Sequence, residues 1–301
     1  MRRVTNDGDK GIATIIVVLM MPVLVLFGAL VFDGGRGYLA RRQTQSAADA
    51  GALAKATDCA LQRSATVFTA YQTNGATLLG TPTCGTGTTT VSMSRNVSFV
   101  FATGGGTVTR SATAKWGTVG TATTLPIAIS SCEFTQALLT GTTDIIIYLD
   151  DSKPQSGCSS LPGGFSQLNP GSSYCGVLIT AGGLVAGQPG APDPRLDDCI
   201  TNSTAPKLPH DILIPMYDAA ACQAAGCNGQ GPYKILGFAV FHVTGYSFTG
   251  NRYGGTLGNK CPDDNNRGKY CIQGDFIQFV TSQGTPGPSN DFGTYRVYLA
   301  S

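Results

Sequence analysis

The chain has little of what nucleic-acid binding, zinc chemistry or nucleotide binding requires. Only 13% of its 301 residues are charged, and the formal net charge is +2. No basic stripe is present, which excludes the electrostatic footprint of a nucleic-acid-binding protein. There are two histidines, His210 and His242, and no Cys-x-x-Cys pair, so the chain lacks the knuckles of a zinc site. No glycine-rich turn follows a strand and opens a helix, as a nucleotide loop would. The 40 glycines have no three-residue period, which excludes collagen. No internal repeat is evident. These absences leave no cofactor or metal to expect.

What is present is uneven. Residues 1–42 hold six of the basic side chains and three Asp, and the rest of the chain nets −1. The ten cysteines (Cys59, Cys84, Cys132, Cys158, Cys175, Cys199, Cys222, Cys227, Cys261 and Cys271) all lie beyond residue 32. An even set without metal spacing reads as disulfides formed in an oxidising compartment. Sequence does not dictate connectivity. Cys222–Cys227 and Cys261–Cys271 would close local loops, and Cys59–Cys84 would tie a helix end to the segment after it.

From Gly11 to Phe32 there are 22 residues without one charge, GIATIIVVLMMPVLVLFGALVF. As a helix this run spans about 33 Å, against a bilayer core of about 30 Å. Pro22 near its middle would break a helix in water, but membrane helices tolerate it with a kink. A cleaved signal peptide is the competing reading; the apolar core is long for one, and no clean small-x-small site ends it. Arg2, Arg3 and Lys10 precede the run, and Arg36, Arg41 and Arg42 come after it, so flanking charge does not orient it. The cysteines do: a disulfide-bearing domain belongs outside, with the N-terminus in the cytoplasm.

Beyond the run, DGGRGYLARRQTQSAADAGALA keeps helical character. Gly34, Gly35 and Gly37 weaken it at the membrane surface. Asp33 and Arg36 stand three apart and can pair. Tyr38, Leu39, Arg41 and Arg42 form an interfacial anchor. Ala47, Ala50, Gly51 and Ala54 recur at spacings of three and four. Such a face admits another helix closely, or packs on its own domain. A helix from Gly11 to Ala56 would be about 69 Å long, half in lipid and half a stalk.

This segment resembles the N-terminal module of the TadE/TadG-like proteins of Flp (tight-adherence) pilus assembly. The residues that carry the resemblance are Asp33, Gly35, Arg36, Tyr38, Arg41, Gln45, Ala47, Ala48, Asp49, Ala50, Ala52, Leu53 and Ala54. Thr44 stands where the family has Leu, and Gly51 where it has Ala. The resemblance covers about 45 residues. It implies a structural, non-enzymatic component with a helix-packing surface at Asp33, Arg36, Tyr38, Arg41, Gln45, Ala47, Ala48, Asp49, Ala50, Gly51, Leu53 and Ala54. The implied partners are other Tad/Flp membrane components and the lipid bilayer, with a homo-oligomer through the small-residue face as a further option. Prepilin-like members are cleaved after a Gly and carry Glu at the fifth mature position. Cleavage after Gly11 would put Ile16 there, and the chain's one Glu is Glu133. This departure favours a retained anchor, as in the TadG-like branch.

The expected class is α+β: a transmembrane helix extended into a stalk, then a β-rich, disulfide-braced ectodomain. The divisions are a cytoplasmic N-terminus (1–10), the membrane helix (11–32), a helical stalk (33–75) and an extracytoplasmic domain (76–301). Period-two alternation predicts a hairpin from VSMSRNVSFVF and TVTRSATAKW. Phe101 would face Val108 and Met93 would face Trp116 across a six-residue loop, 102–107. Arg95 and Arg110 fall on its apolar face. A short helix is expected over Glu133–Leu139 and a buried strand at TDIIIYLDD. Further strands are expected at CGVLIT, DILIPMY, YKILGFAVFHVTGYSF, KYCIQGDFIQFVTS and TYRVYLA.

Four fragments invite chemistry. Asp150-Asp151-Ser152-Lys153-Pro154 partly fits a metal-ion-dependent adhesion turn, but Pro154 replaces its second Ser. GYSFTG at Gly245–Gly250 misses the nucleophile elbow by one residue. His242, inside an apolar strand, reads as a hydrogen-bonded core histidine, and Asp263-Asp264-Asn265-Asn266 as a solvated turn. The alternatives to a pilus component are a tethered adhesin, with loops 152–209 engaging a ligand, and, more remotely, a secreted hydrolase.

Overall fold

The computed structural model describes residues 8–63, 75–102, 104–141, 143–148, 158, 165–169, 175–188, 196, 199, 210–224, 231–248, 251–253, 270–281 and 283–300. It is α+β. The chain forms two compact units: residues 1–59, 63–115 and 298–301, and residues 60–62 and 116–297.

The first unit is built on α1 (Gly8–Ala60), one helix of 53 residues with Pro22 inside it. At 1.5 Å per residue it is about 80 Å long. It runs unbroken through Gly34, Gly35 and Gly37, past the expected end at Ala56. Its first part is bare: from Ile15 to Phe32 every large apolar side chain is 43–73% exposed. An apolar helix so uncovered needs an apolar solvent, and its hydropathy is that of a membrane span. Its second part is covered. Ala40, Thr44, Ala47, Ala48, Ala52 and Ala56 are each at most 3% exposed.

Beside α1 lie β1 (Thr77–Leu79), β2 (Thr88–Ser98) and the first part of β3 (Gly105–Thr124). The three are antiparallel neighbours. The hairpin has two chemically distinct faces, as a period of two dictates. Val91, Met93, Val97, Ala112 and Ala114 are buried on one. On the other, hydroxyls meet across the strands: Thr90 with Thr113 at 2.9 Å and Ser92 with Ser111 at 2.8 Å. The register differs from the expected one. Arg95 faces Val108, Met93 faces Arg110, and Ser98 faces Gly105. The loop keeps six residues but occupies 99–104. Two causes are visible. Gly104 takes φ +113°, which places the turn at the first glycine of the triplet. At Gly105 a Cβ would come within 2.7 Å of the Val97 carbonyl oxygen, so glycine alone allows that pairing. The slip is even, and the apolar sets stay on one side.

The second unit holds the rest of β3, then β4 (Ile127–Ser130), α2 (Ser131–Thr140), β5 (Ile145–Tyr148), β6 (Phe165–Gln167), β7 (Val177–Thr180), β8 (Leu184–Val185), β9 (His210–Tyr217), α3 (Ala219–Ala224), β10 (Tyr233–Phe248), β11 (Asn251–Tyr253), β12 (Cys271–Ile277), β13 (Phe279–Thr281), β14 (Thr285–Pro286) and all but the last two residues of β15 (Thr294–Leu299). Its main sheet has the order β5-β12-β10-β9-β4-β6, with β8 and β11 also on β10. The 16-residue β10 is the spine, pairing antiparallel with β9 and β12. Ser130 caps α2, its side chain accepting from the Cys132 N–H, and Gly141 ends it in the left-handed region. α2 lays Phe134 edge-on to Phe276 and Phe292, at 4.9 and 5.1 Å. The expected buried strand at IIIY is β5, the last strand of the described sheet order, with Ile145 and Ile147 buried and Ile146 and Tyr148 half-buried.

Three disulfides are described: Cys59–Cys84, Cys132–Cys158 and Cys175–Cys199. Cys222 and Cys271 are also oxidised, with partners outside the described residues, where Cys227 and Cys261 also lie. The Cys59–Cys84 link closes a loop of sequence separation 25. Replacing both with Ser is expected to lower stability by about 3.5 kcal/mol from loop-closure entropy. Urea unfolding of the full chain in micelles, with unchanged Cys132–Cys158 pairing as the control, measures this.

Candidate functional site

Three ties fix α1 against the hairpin, and their order along the chain sets the geometry. Asp33 binds residues 100–102, Gln43 binds Arg95, and Cys59 binds Cys84. Helix numbers rise while strand numbers fall, so α1 runs antiparallel to β2. The spacings agree: ten helical residues from Asp33 to Gln43 rise about 15 Å, and five extended residues from Arg95 to Val100 cover about 17 Å. Small side chains on the facing helix surface allow this close approach.

The Asp33 junction is the most constrained point. Its Oδ1 accepts from the Val100 N–H at 2.8 Å, and its Oδ2 accepts from the N–H groups of Phe101 at 3.0 Å and Ala102 at 2.9 Å. Asp33 itself is 8% exposed. Desolvation pushes its carboxyl pKa up, but the three N–H bonds and the charge of Arg36 outweigh it, holding the group below the ordinary carboxylate range. One residue earlier, Phe32 meets Phe101 edge-to-face at 6.0 Å. Beside the junction lies a groove of about 520 Å³, lined by Leu30, Asp33, Gly37, Arg41, Val97 and Phe99 among others.

The other residues singled out from the sequence divide by helix face. Arg36, Tyr38 and Arg41 are exposed, as an interfacial anchor requires. Gln45 donates from Nε2 to Asp49 Oδ1 at 2.7 Å, one helical turn on. Ala47, Ala48 and Gly51 are buried, and Ala50, Leu53 and Ala54 are half-buried. Of the two roles open to the small face, packing on its own chain is therefore the one observed. Thr44, where Leu was the family habit, is fully buried and bonds back to the Ala40 carbonyl at 2.7 Å. Arg95, on the hairpin's apolar face, donates to the Gln43 side chain. Sequence reasoning missed Gln43, Arg95 and the 99–102 loop as partners within this junction. Arg95 and the loop lie more than 50 residues from their helix partners, and no local period encodes that pairing.

Among the described residues the catalytic fragments do not assemble. His242 is no core histidine: its side chain is 36% exposed, and its Nδ1 lies 2.6 Å from Asp211 Oδ1. β10 buries both faces from Gly237 to Phe241 and again from Gly245 to Phe248; between these stretches it alternates, with Val243 buried and His242 and Thr244 half-buried, which turns His242 outward. Asp211 and Asp275 flank it on β9 and β12, and no serine or cysteine hydrogen-bonds to it among the described residues. Ser247 is buried within β10, paired with Arg252 and Cys271 on the adjoining strands, so there is no nucleophile elbow. No group of three or more metal-ligating side chains occurs among the described residues. Asp150–Pro154 and Asp263–Asn266 lie outside the described residues.

Residues 11–58 match the family model described as "Putative Flp pilus-assembly TadE/G-like". The match covers the bare apolar half and the covered half of α1, and it does not separate TadE-type from TadG-type members. No curated protein and no solved structure matches the chain.

Asp33→Ala is expected to speed amide exchange at Val100, Phe101 and Ala102 at neutral pH. In the unaltered chain the same contribution is complete above pH about 4 and is lost as pH falls through the lowered pKa of Asp33. Hydrogen–deuterium exchange, corrected at each pH for intrinsic rate, checks both; protection of these amides that is indifferent to Asp33 would refute the assignment.

Proposed function

We propose that this chain is a single-span, non-enzymatic structural component of Flp pilus assembly, of the TadG-like kind, with an uncut anchor. The observation that carries the reading is the match over residues 11–58, joined to a helix whose apolar half is bare and whose other half is clamped to the chain's own hairpin. The disulfides favour an oxidising location for everything beyond the span, with the residues before it in the cytoplasm.

The geometry also bears on where partners would dock. Above the membrane the small face is occupied, so the helix surface left for other Tad/Flp membrane components, or for a second copy, lies mainly within residues 14–32. Packing there would rest on side-chain fit and lipid exclusion rather than on the hydrophobic effect. The adhesin reading rests on loops 152–209, most of which lie outside the described residues, and it gains nothing from the structure.

Affinity capture of the tagged chain is expected to recover pilus-system membrane proteins. Exchanging residues 14–31 for an unrelated apolar span, with Phe32 to Ser301 kept, should abolish recovery and piliation. Full recovery with the foreign span would move the docking surface to the folded units, and absence of partners with the native span would sink the proposal. His242→Ala is expected to leave piliation unchanged. Loss of piliation together with loss of a hydrolytic activity would replace the structural role with an enzymatic one.

A further inference from the structure

The tip of the β2–β3 hairpin is apolar, exposed and level with the end of the membrane span. Val100 is 54% exposed and Phe101 57%. Phe101 touches Phe32, the last residue of the uncharged run, which is itself 55% exposed. Such a tip would be costly in water, and its place beside the span offers a remedy.

A loop can enter the acyl region only if its backbone N–H groups have partners, because lipid supplies none. Residues 99–102 meet that condition. The N–H groups of Val100, Phe101 and Ala102 are all taken by the Asp33 carboxylate, and that of Phe99 by the Gly104 carbonyl at 3.4 Å. The cations stand at the matching height. Along α1, Arg36 lies about 6 Å above Phe32, and the headgroup layer is roughly 5–8 Å thick on each side of the hydrocarbon. Exposed Arg36 therefore falls among lipid phosphates, with Arg41 and Arg42 just beyond.

We propose that residues 99–102 are a second membrane contact of this protein: Val100 and Phe101 insert at the headgroup–acyl boundary beside α1, with Asp33 satisfying the amides that leave water. The occupant of this surface is lipid, because the apolar patch is continuous with the span and lies at its upper edge. The contact makes α1 and its hairpin a two-point attachment and holds the first unit at a set height above the bilayer. It rests on the membrane-anchor reading, and the test separates the two.

The full chain is reconstituted in phosphatidylcholine–phosphatidylglycerol vesicles, with single-tryptophan reporters in a Trp116→Phe background. Phe101→Trp reports the tip, Leu24→Trp the span, and Leu79→Trp, at the exposed β1, the aqueous side. Phe101→Trp emission is expected to fall at least twofold with lipids spin-labelled at acyl carbon 5, less with carbon 12, and little with iodide. Leu24→Trp should favour the deeper label, and Leu79→Trp should respond to iodide alone. If Phe101→Trp behaves like Leu79→Trp, the tip is in water and the proposal fails. If it is shielded from both quenchers, protein such as a second copy covers the tip, and the proposal also fails. If Leu24→Trp escapes lipid quenching, the anchor reading falls and takes the proposal with it. Labelling the unsubstituted chain with a bilayer-partitioned diazirine, read by mass spectrometry, repeats the test without mutation: modification at Val100 or Phe101 supports insertion, and modification confined to residues 14–32 refutes it.

Discussion

A buried carboxylate one residue beyond an uncharged apolar run must find donors or lose its charge, and the first unit is organised around the donors Asp33 finds. They come from a loop 67 to 69 residues away in sequence. Once the loop is held there, the direction of β2 along α1 and the place of the hairpin tip beside Phe32 are set. The bond is charge-assisted on three backbone amides, the stronger kind of hydrogen bond. It also leaves no N–H of residues 100–102 without an acceptor. The Cys59–Cys84 link at the other end of the covered segment stops the helix from peeling away.

Between these ends the helix and hairpin meet through small side chains. Alanine at positions 40, 47, 48, 52 and 56 and threonine at 44 keep the helix surface low enough to sit flush on a sheet. The sheet answers with Val91, Met93, Val97, Ala112 and Ala114 on the facing side and a hydroxyl ladder on the other. A face of this kind looks, from its spacing, like a seam for another helix. Here the chain uses it for itself. The proposed assembly role then shifts weight to the bare apolar half of α1, where partner helices would compete with lipid for the same surface.

The second unit achieves rigidity by different means. A long central strand, β10, carries neighbours on both edges, and a helix capped at both ends seats an aromatic cluster against the sheet. At Gly274 a Cβ would lie 2.0 Å from the His242 carbonyl oxygen, so the β10–β12 pairing at the bulge depends on glycine. Several polar groups on this sheet are committed to one another. His242 is bound to Asp211, and Asp144 accepts from Thr244 and Gln273 while its own N–H donates to Asp275. Such cross-strand ties brace edges and strand ends.

Much was legible before the structure. The uncharged run spells a span, because 22 apolar residues have the length of a bilayer core. Alternation spells β2 and β3, apolar runs mark β5, β9, β10 and β15, and the short helix expected over Glu133–Leu139 is found as α2 (Ser131–Thr140), because these signals repeat within a few residues of one another. What the sequence by itself determined is thus the local: which segments are helix or strand, which face is apolar, and that the cysteines pair. Only the tertiary structure decided that Asp33 serves a distant loop rather than Arg36, that the alanine face is filled from within, that the hairpin turns at Gly104, and that His242 faces outward. The reason is physical. Helical and strand periods are written at separations of two to four residues, whereas the partner of a buried carboxylate or a small-residue groove is whichever distant surface fits, and fit exists only once the chain has closed on itself.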